Sequence, residues 1–270
     1  MKHYFPLVAL TAITLLTAAC ETVQTTQPGA VGVDRQQTFV VSDQEIAQAA
    51  SQEYRKVIAD AQAKGKLDRN GAQLQRVRTV MNRLIPHTST FRPDALKWAW
   101  EIHVIDDPQL NAWAMPGGKM AVYSGLIDKL RLTDDELAAI MGHEIAHSLR
   151  EHARERVSRE MASGVALGVA GAVLGLGQLG QSLANAVAQV TFNLPHSRTH
   201  ETEADRLGVE LAARAGYEPH AAVSVWQKML QAGGSGGPQF LSTHPSPESR
   251  LADLKVYADR VMPLYQQARR

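Results

Sequence analysis

Residues 133–160, TDDELAAIMGHEIAHSLREHARERVSRE, decide how the rest of this chain is read. Thr133 with Glu136 three residues on has the form of a capping box, in which each side chain binds the other's backbone N–H and opens a helix. Leu137, Ala138, Ala139, Ile140, Ile145 and Ala146 then surround His143-Glu144-Ile145-Ala146-His147 with apolar residues, and the helix is expected to run on to Glu160. Four helical steps bring a side chain back to within about 40° of its start, so both imidazoles leave one face a turn apart. That geometry suits two tetrahedral positions on one Zn2+. Glu144, next along the helix, can reach water at such a metal without ligating it. A glutamate so placed serves as general base while the acidified water attacks a carbonyl.

Two histidines leave zinc too open, so a third protein ligand is required. His152 lies five residues past His147, about 140° round a continuous helix, and reads as a surface histidine. Arg150 and Ala153 stand where the longer H-E-x-x-H-x-x-G-x-x-H pattern needs Gly and His. The segment 197–205, SRTHETEAD, is the richer source. Glu201 and Asp205 share a helix face at i,i+4, so one can ligate zinc while the other accepts the free N–H of a ligand histidine. Spacing alone leaves His200, Glu203 and the i,i+4 pair His196 and His200 as alternatives.

Composition narrows the chemistry. The 270 residues carry 28 Lys and Arg against 27 Asp and Glu, for a formal charge of +1, which offers no electrostatic footprint for nucleic acid. At 44% hydrophobic and 20% charged, the chain can bury a core. A single cysteine excludes an intrachain disulfide, a CxxC redox pair and any multi-cysteine metal site, so a metal must be held by His, Asp or Glu.

That cysteine, Cys20, follows an apolar run over residues 4–19 that is too short for a comfortable membrane span. Thr17-Ala18-Ala19-Cys20 resembles a bacterial lipobox, which implies a leader over residues 1–19 and acylation of Cys20. Glu21 rather than Asp in the next position implies delivery to the outer membrane. Residues 20–41, rich in Thr, Gln, Pro and Gly, read as a flexible tether between anchor and body. The folded domain is expected over residues 42–270. Ser42 and Glu45 form a second capping box, and another helix covers 68–85 before Pro86. KWAWEIHVIDD and NAWAMPGGKMAVYSG read as two or three short strands with a turn at Pro116-Gly117-Gly118. Helices follow after Gly125, over 197–214, over 219–232 and after Pro247, with 233–238 as a loop. The uncharged Ala- and Gly-rich stretch 161–177 reads as a buried or lid helix, not a membrane hairpin.

HEIAH, followed about fifty residues on by E-T-E-A-D, resembles the M48 family of zinc metallopeptidases. The resemblance extends to Asn111-Ala112-Trp113-Ala114-Met115-Pro116-Gly117-Gly118 and to Thr243-His244-Pro245 with Arg250 downstream. It implies a mainly helical α+β zincin (gluzincin-like) domain with a small sheet carrying an active-site edge strand at Asn111, Ala112, Trp113, Ala114 and Met115. It also implies one Zn2+ held by His143, His147 and Glu201, with Asp205 behind a ligand and Glu144 as general base. His244 then either stabilises the oxyanion or closes over the metal as a fourth ligand. The single-domain periplasmic lipoprotein branch of the family implies unfolded or misassembled envelope proteins as substrates, with the envelope assembly machinery as a partner. A strand edge with free N–H and C=O groups suits that task, because an extended peptide can add to it with little sequence preference. The rival expectation is an outer-membrane lipoprotein acting as a chaperone or assembly scaffold, its zinc site latent.

Overall fold

Both capping boxes form. Ser42 accepts the Glu45 N–H and Thr133 the Glu136 N–H, each at 3.2 Å, while the two glutamates return the bond to the capping residue's own N–H. The structure, a computed structural model, describes residues 21–163, 176–232, 239–245 and 249–270. The leader, Cys20, residues 164–175 of the Ala- and Gly-rich stretch and the loop 233–238 lie outside the described residues.

The elements in chain order are β1 (Glu21–Val23), β2 (Gln37–Phe39), α1 (Asp43–Ala63), α2 (Gly71–Leu84), β3 (Glu101–Ile105), β4 (Ala112–Met115), β5 (Lys119–Tyr123), α3 (Ser124–Lys129), α4 (Asp134–Leu149), α5 (His152–Ala162), α6 (Leu176–Ala188), α7 (Arg198–Arg214), α8 (Ala221–Ala232), α9 (Gln239–Thr243) and α10 (Arg250–Ala268). The chain is mainly helical with a small sheet. In that sheet the order is β3-β5-β4, with β3 parallel and β4 antiparallel to β5, so β4 is an edge. Gly117 and Gly118, at φ of 80° and 79°, make the left-handed turn from β4 to β5. Among the described residues no helix is long and apolar enough to cross a membrane.

α4 is buried on every side from Glu136 to Leu149, as expected of a helix apolar all round, and it packs against α7, α8, α2 and β4. Its crossing with α7 is close because both partners are glycine. A Cβ on Gly142 would stand 2.8 Å from the Gly208 carbonyl oxygen, and one on Gly208 would stand 2.7 Å from the His143 nitrogen. This approach brings the acidic N-terminal half of α7 against the histidines of α4.

Two expectations are corrected. The helix expected to continue to Glu160 breaks at Glu151, which takes left-handed angles (φ 51°, ψ 36°) before α5 sets off in a new direction. The strain is held by ion pairs: the Glu151 carboxylate is gripped by Arg92 and, at 2.7 Å, by Arg154. The second correction concerns residues 21–41, which are packed onto the body and not extended as a flexible tether. Val31, Val33, Phe39 and Val41 are buried, each such side chain contributing roughly 1.5–3 kcal/mol. The Val31 N–H donates to Glu210 at 3.0 Å, and Gln37 donates to the Arg150 carbonyl at 2.7 Å. The polar composition of the segment concealed those four apolar positions.

Candidate metal centre

α4 and α7 supply most of the centre. The ring nitrogens of His143 and His147 converge as the helical period requires, with their Nε2 atoms 3.0 Å apart. Ser197 caps α7 by accepting the His200 N–H at 3.2 Å, and one turn into that helix Glu201 faces the pair. Its Oε1 lies 3.3 Å from His147 Nε2 and its Oε2 lies 3.6 Å from His143 Nε2. From the far side His244 brings Nδ1 to 3.2 Å from His143 Nε2 and 3.0 Å from Glu201 Oε1. One donor atom from each of these four buried residues lies within 4.8 Å of every other.

The surroundings set charge states suited to a cation. Burial pushes the His147 imidazole well below its ordinary pKa, so the ring is neutral and carries a lone pair. Burial would raise Glu201, but His244, His147 and His143 more than offset it and hold the carboxyl well below the usual range. For His244 burial pulls down while Glu201 and Glu144 pull up, and the carboxylates prevail. Glu144 is pushed up by burial against the opposing pull of His244 and His143.

The donor set fits zinc. Lone-pair atoms of two imidazoles and an ionised carboxylate crowd one buried point, an arrangement that a divalent cation relieves, and mixed N and O ligands suit Zn2+. Glu144 Oε1, buried beside the cluster, makes no hydrogen bond among the described residues and has His244 Nε2 at 3.4 Å. Asp205 Oδ1 lies 2.9 Å from His143 Nδ1 and accepts from Arg250 Nη2 at 2.6 Å.

The edge strand lies alongside. The Ala114 N–H donates to Glu144 Oε2 at 3.1 Å, tying β4 to the glutamate. Trp113 and Met115 point into the protein, Trp113 meeting Tyr54 and Phe192 edge-on, and Asn111 and Ala112 are buried too. A narrow cleft runs along Trp113, Ala114, Pro116, Glu144, His147 and His196.

The model of peptidase family M48 matches residues 71–258. The chain belongs to that family. Its metallopeptidases use zinc, and the domain seen here is their zincin-like type. The chain is 35% identical over 209 residues to the mitochondrial metalloendopeptidase OMA1 of Bos taurus, a match covering 73% of this chain and 39% of the relative. It is 39% identical over 161 residues to the mitochondrial metalloendopeptidase OMA1 of Schizosaccharomyces pombe, covering 58% and 46%. It is 29% identical over 209 residues to the β-barrel assembly-enhancing protease of Escherichia coli K12, covering 72% and 40%. The chain thus spans less than half the length of these curated relatives.

Of the alternatives left open by spacing along the M48 segment, Glu201 is the one beside both histidines. His200 turns away, its Nε2 3.2 Å from Glu155. Glu203 also faces away from the cluster and meets His152 at 3.0 Å. His152 is a correction: it is fully buried, not a surface residue, and its Nδ1 lies 2.8 Å from His147 Nδ1. The turn at Glu151 swings it back from the position a continuous helix would give, and no local sequence signal announces that turn. His196, whose ring centroid is 4.2 Å from that of His147, stacks on His244 with centroids 4.9 Å apart.

Proposed function

We propose that this chain is a zinc-dependent endopeptidase acting on unfolded or misassembled envelope proteins. In this reading it is held at the periplasmic face of the outer membrane by acyl chains on Cys20. The observation that supports it most is the position of Glu144, one oxygen on the edge-strand Ala114 N–H and the other beside the His143, His147 and Glu201 cluster with His244 Nε2 at 3.4 Å. His143, His147 and Glu201 would hold the zinc, which when bound supplies Lewis acidity toward a carbonyl and acidifies water.

The protein's own groups do the rest. Glu144 takes a proton from the attacking water and returns it to the leaving amine, a task helped by the upward push of burial on its pKa. β4 receives the substrate as an added strand, so that backbone pairing fixes the scissile bond with little demand on sequence. His244, its Nε2 3.4 Å from Glu144 Oε1, would stabilise the negative charge that develops on the carbonyl oxygen. The name of the Escherichia coli relative, a β-barrel assembly-enhancing protease, supports envelope proteins as substrates and their assembly machinery as a partner.

The test compares wild type with E144Q on an unfolded protein, with bound zinc measured in both. The expected outcome is equal zinc and a loss of cleavage of about 100–10,000-fold in E144Q. Equal cleavage by the two proteins would remove Glu144 from the mechanism.

A second reading, a chaperone or scaffold with a latent site, is favoured by the place of His244 among the donor atoms, where it can act as a fourth ligand. H244A separates the two roles. Cleavage rises in the variant if His244 is a latch, and falls if it stabilises the oxyanion.

A further inference from the structure

Behind the cluster a line of buried polar groups runs from His147 to the N-terminal segment. His147 Nδ1 lies 2.8 Å from His152 Nδ1, and His152 Nε2 lies 3.0 Å from Glu203 Oε2. Glu203 then accepts from Arg150 Nε at 3.0 Å and from Arg35 Nε at 2.5 Å. His152 is 0% exposed and Glu203 6%. Arg35 continues the line, donating through both terminal nitrogens to Glu155 at 2.9 Å, while His200, bound to Glu155, stacks on His152 with centroids 4.2 Å apart. No step of the hydrolysis uses these groups, and burying so many polar side chains is costly unless their pairing achieves something.

The chemistry of the line gives it a direction. An ionised carboxylate can only accept, and two guanidiniums already balance the charge of Glu203. His152 therefore donates through Nε2 and presents a lone pair at Nδ1. The one proton in the Nδ1–Nδ1 contact then belongs to His147, which leaves His147 Nε2 bare and facing His143 and Glu201. The reverse order would put a proton on His147 Nε2, in the middle of the cluster.

We propose that His152 and Glu203 are positioning residues that fix His147 as its Nδ1–H tautomer with Nε2 turned to the metal, and that Arg35 ties this line to segment 21–41. Docking of that segment is thereby coupled to metal retention. The inference rests on the assignment of His147 as a zinc ligand proposed above. His143 has a shorter counterpart in Asp205, which it faces directly. A ligand histidine generally gives its second N–H to a carboxylate, carbonyl or water. Here an intervening histidine extends that link to a carboxylate clamped from another part of the chain.

The experiment measures zinc affinity of the full chain by competition with a chelator, for wild type, H147A, H152L, H152Q and R35A. Thermal melting of each zinc-free protein serves as the control for folding, and ring-nitrogen NMR of the zinc-loaded protein reads the His147 tautomer. H152L is expected to bind zinc about 10–100-fold more weakly than wild type. H152Q recovers most of the loss, because its amide oxygen accepts from His147 while its NH2 donates to Glu203. R35A shifts affinity in the same direction by less. Wild-type affinity in H152L with unchanged zinc-free melting overturns the proposal. If neither His152 variant folds, R35A, altered at a guanidinium one-third exposed, decides it, and wild-type affinity there overturns the coupling. Zinc retained by H147A is a different failure, since it overturns the ligand assignment on which the inference rests.

Discussion

His143 and His147 stand one turn apart on the same helix, yet they are oriented by different means. His143 faces Asp205, and Asp205 is pinned by Arg250, whose other terminal nitrogen lies 2.9 Å from Glu201 Oε2. One arginine thus braces two of the carboxylates around the cluster. D205A removes the carboxylate that stands 2.9 Å from His143 Nδ1 and leaves a buried guanidinium with one partner fewer. The expected result is a fall in zinc affinity of about 10–100-fold, measured by chelator competition. Unchanged affinity would show that His143 needs no help from Asp205. The i,i+4 relation of Glu201 and Asp205 was legible in the sequence because helical periodicity fixes it whatever surrounds the helix. Which of Glu201, Glu203 and His200 meets the histidines was not legible in spacing, only in the M48 resemblance, because it depends on how far α7 is rotated about its own axis.

At the scale of elements, that rotation is set by the crossing of α4 and α7. With glycine at 142 and 208 the two backbones touch, and no flexible side chain lies between them to yield. G208A places a methyl group 2.7 Å from the His143 nitrogen, so the helices must separate. The expected cost is about 1–3 kcal/mol of stability, read by denaturant unfolding, together with weaker zinc binding as Glu201 retreats. G180A on α6 is the control, since a Cβ there meets nothing within 4 Å among the described residues. It should be neutral or slightly stabilising, as replacing an open helical glycine usually is. A G208A protein as stable as wild type would mean that the crossing tolerates more separation than its geometry implies. The helices and the three-stranded hairpin region followed from capping boxes, apolar patterns and turn glycines. The break at Glu151 did not, because ion pairs from Arg92 and Arg154 hold it, and Arg92 is distant in sequence.

Over the whole molecule, Arg35, Glu155, Glu203 and Arg150 fasten the N-terminal segment to the metal-binding body. Burial alone would raise the Glu155 carboxyl, but hydrogen bonds from His200, Arg35 and Gln37 outweigh it and hold its pKa well below the usual carboxylate range. A carboxylate with a depressed folded pKa stabilises the protein fully above its unfolded value, about 4.3, and loses that contribution as pH falls toward the folded value. E155Q is therefore expected to be less stable than wild type at neutral pH by about 2–3 kcal/mol. This is at or below the lower end for a broken buried pair, because Arg35 is partly solvated. Melting should fall by about 5–10 °C at neutral pH. The gap between variant and wild type should narrow on acidification below about pH 4. A gap that stays constant with pH would show that Glu155 is not ionised in the folded protein.

The sequence by itself determined what short-range geometry controls. The HEIAH pair with Glu144 beside it, the acidic face of α7 and the short strands around the Pro116-Gly117-Gly118 turn all follow from periods of 3.6 and 2 and from local caps and turns. Spacing left open which α7 carboxylate joins the histidines, a choice the M48 resemblance placed on Glu201, and only the tertiary structure decided that His152 is buried behind His147 and that residues 21–41 lie on the body. These depend on contacts such as Arg35 with Glu203, 168 residues apart in the chain. The physical reason is that a helix fixes the spacing of its side chains locally, whereas its rotation and neighbours are set by close packing with distant segments.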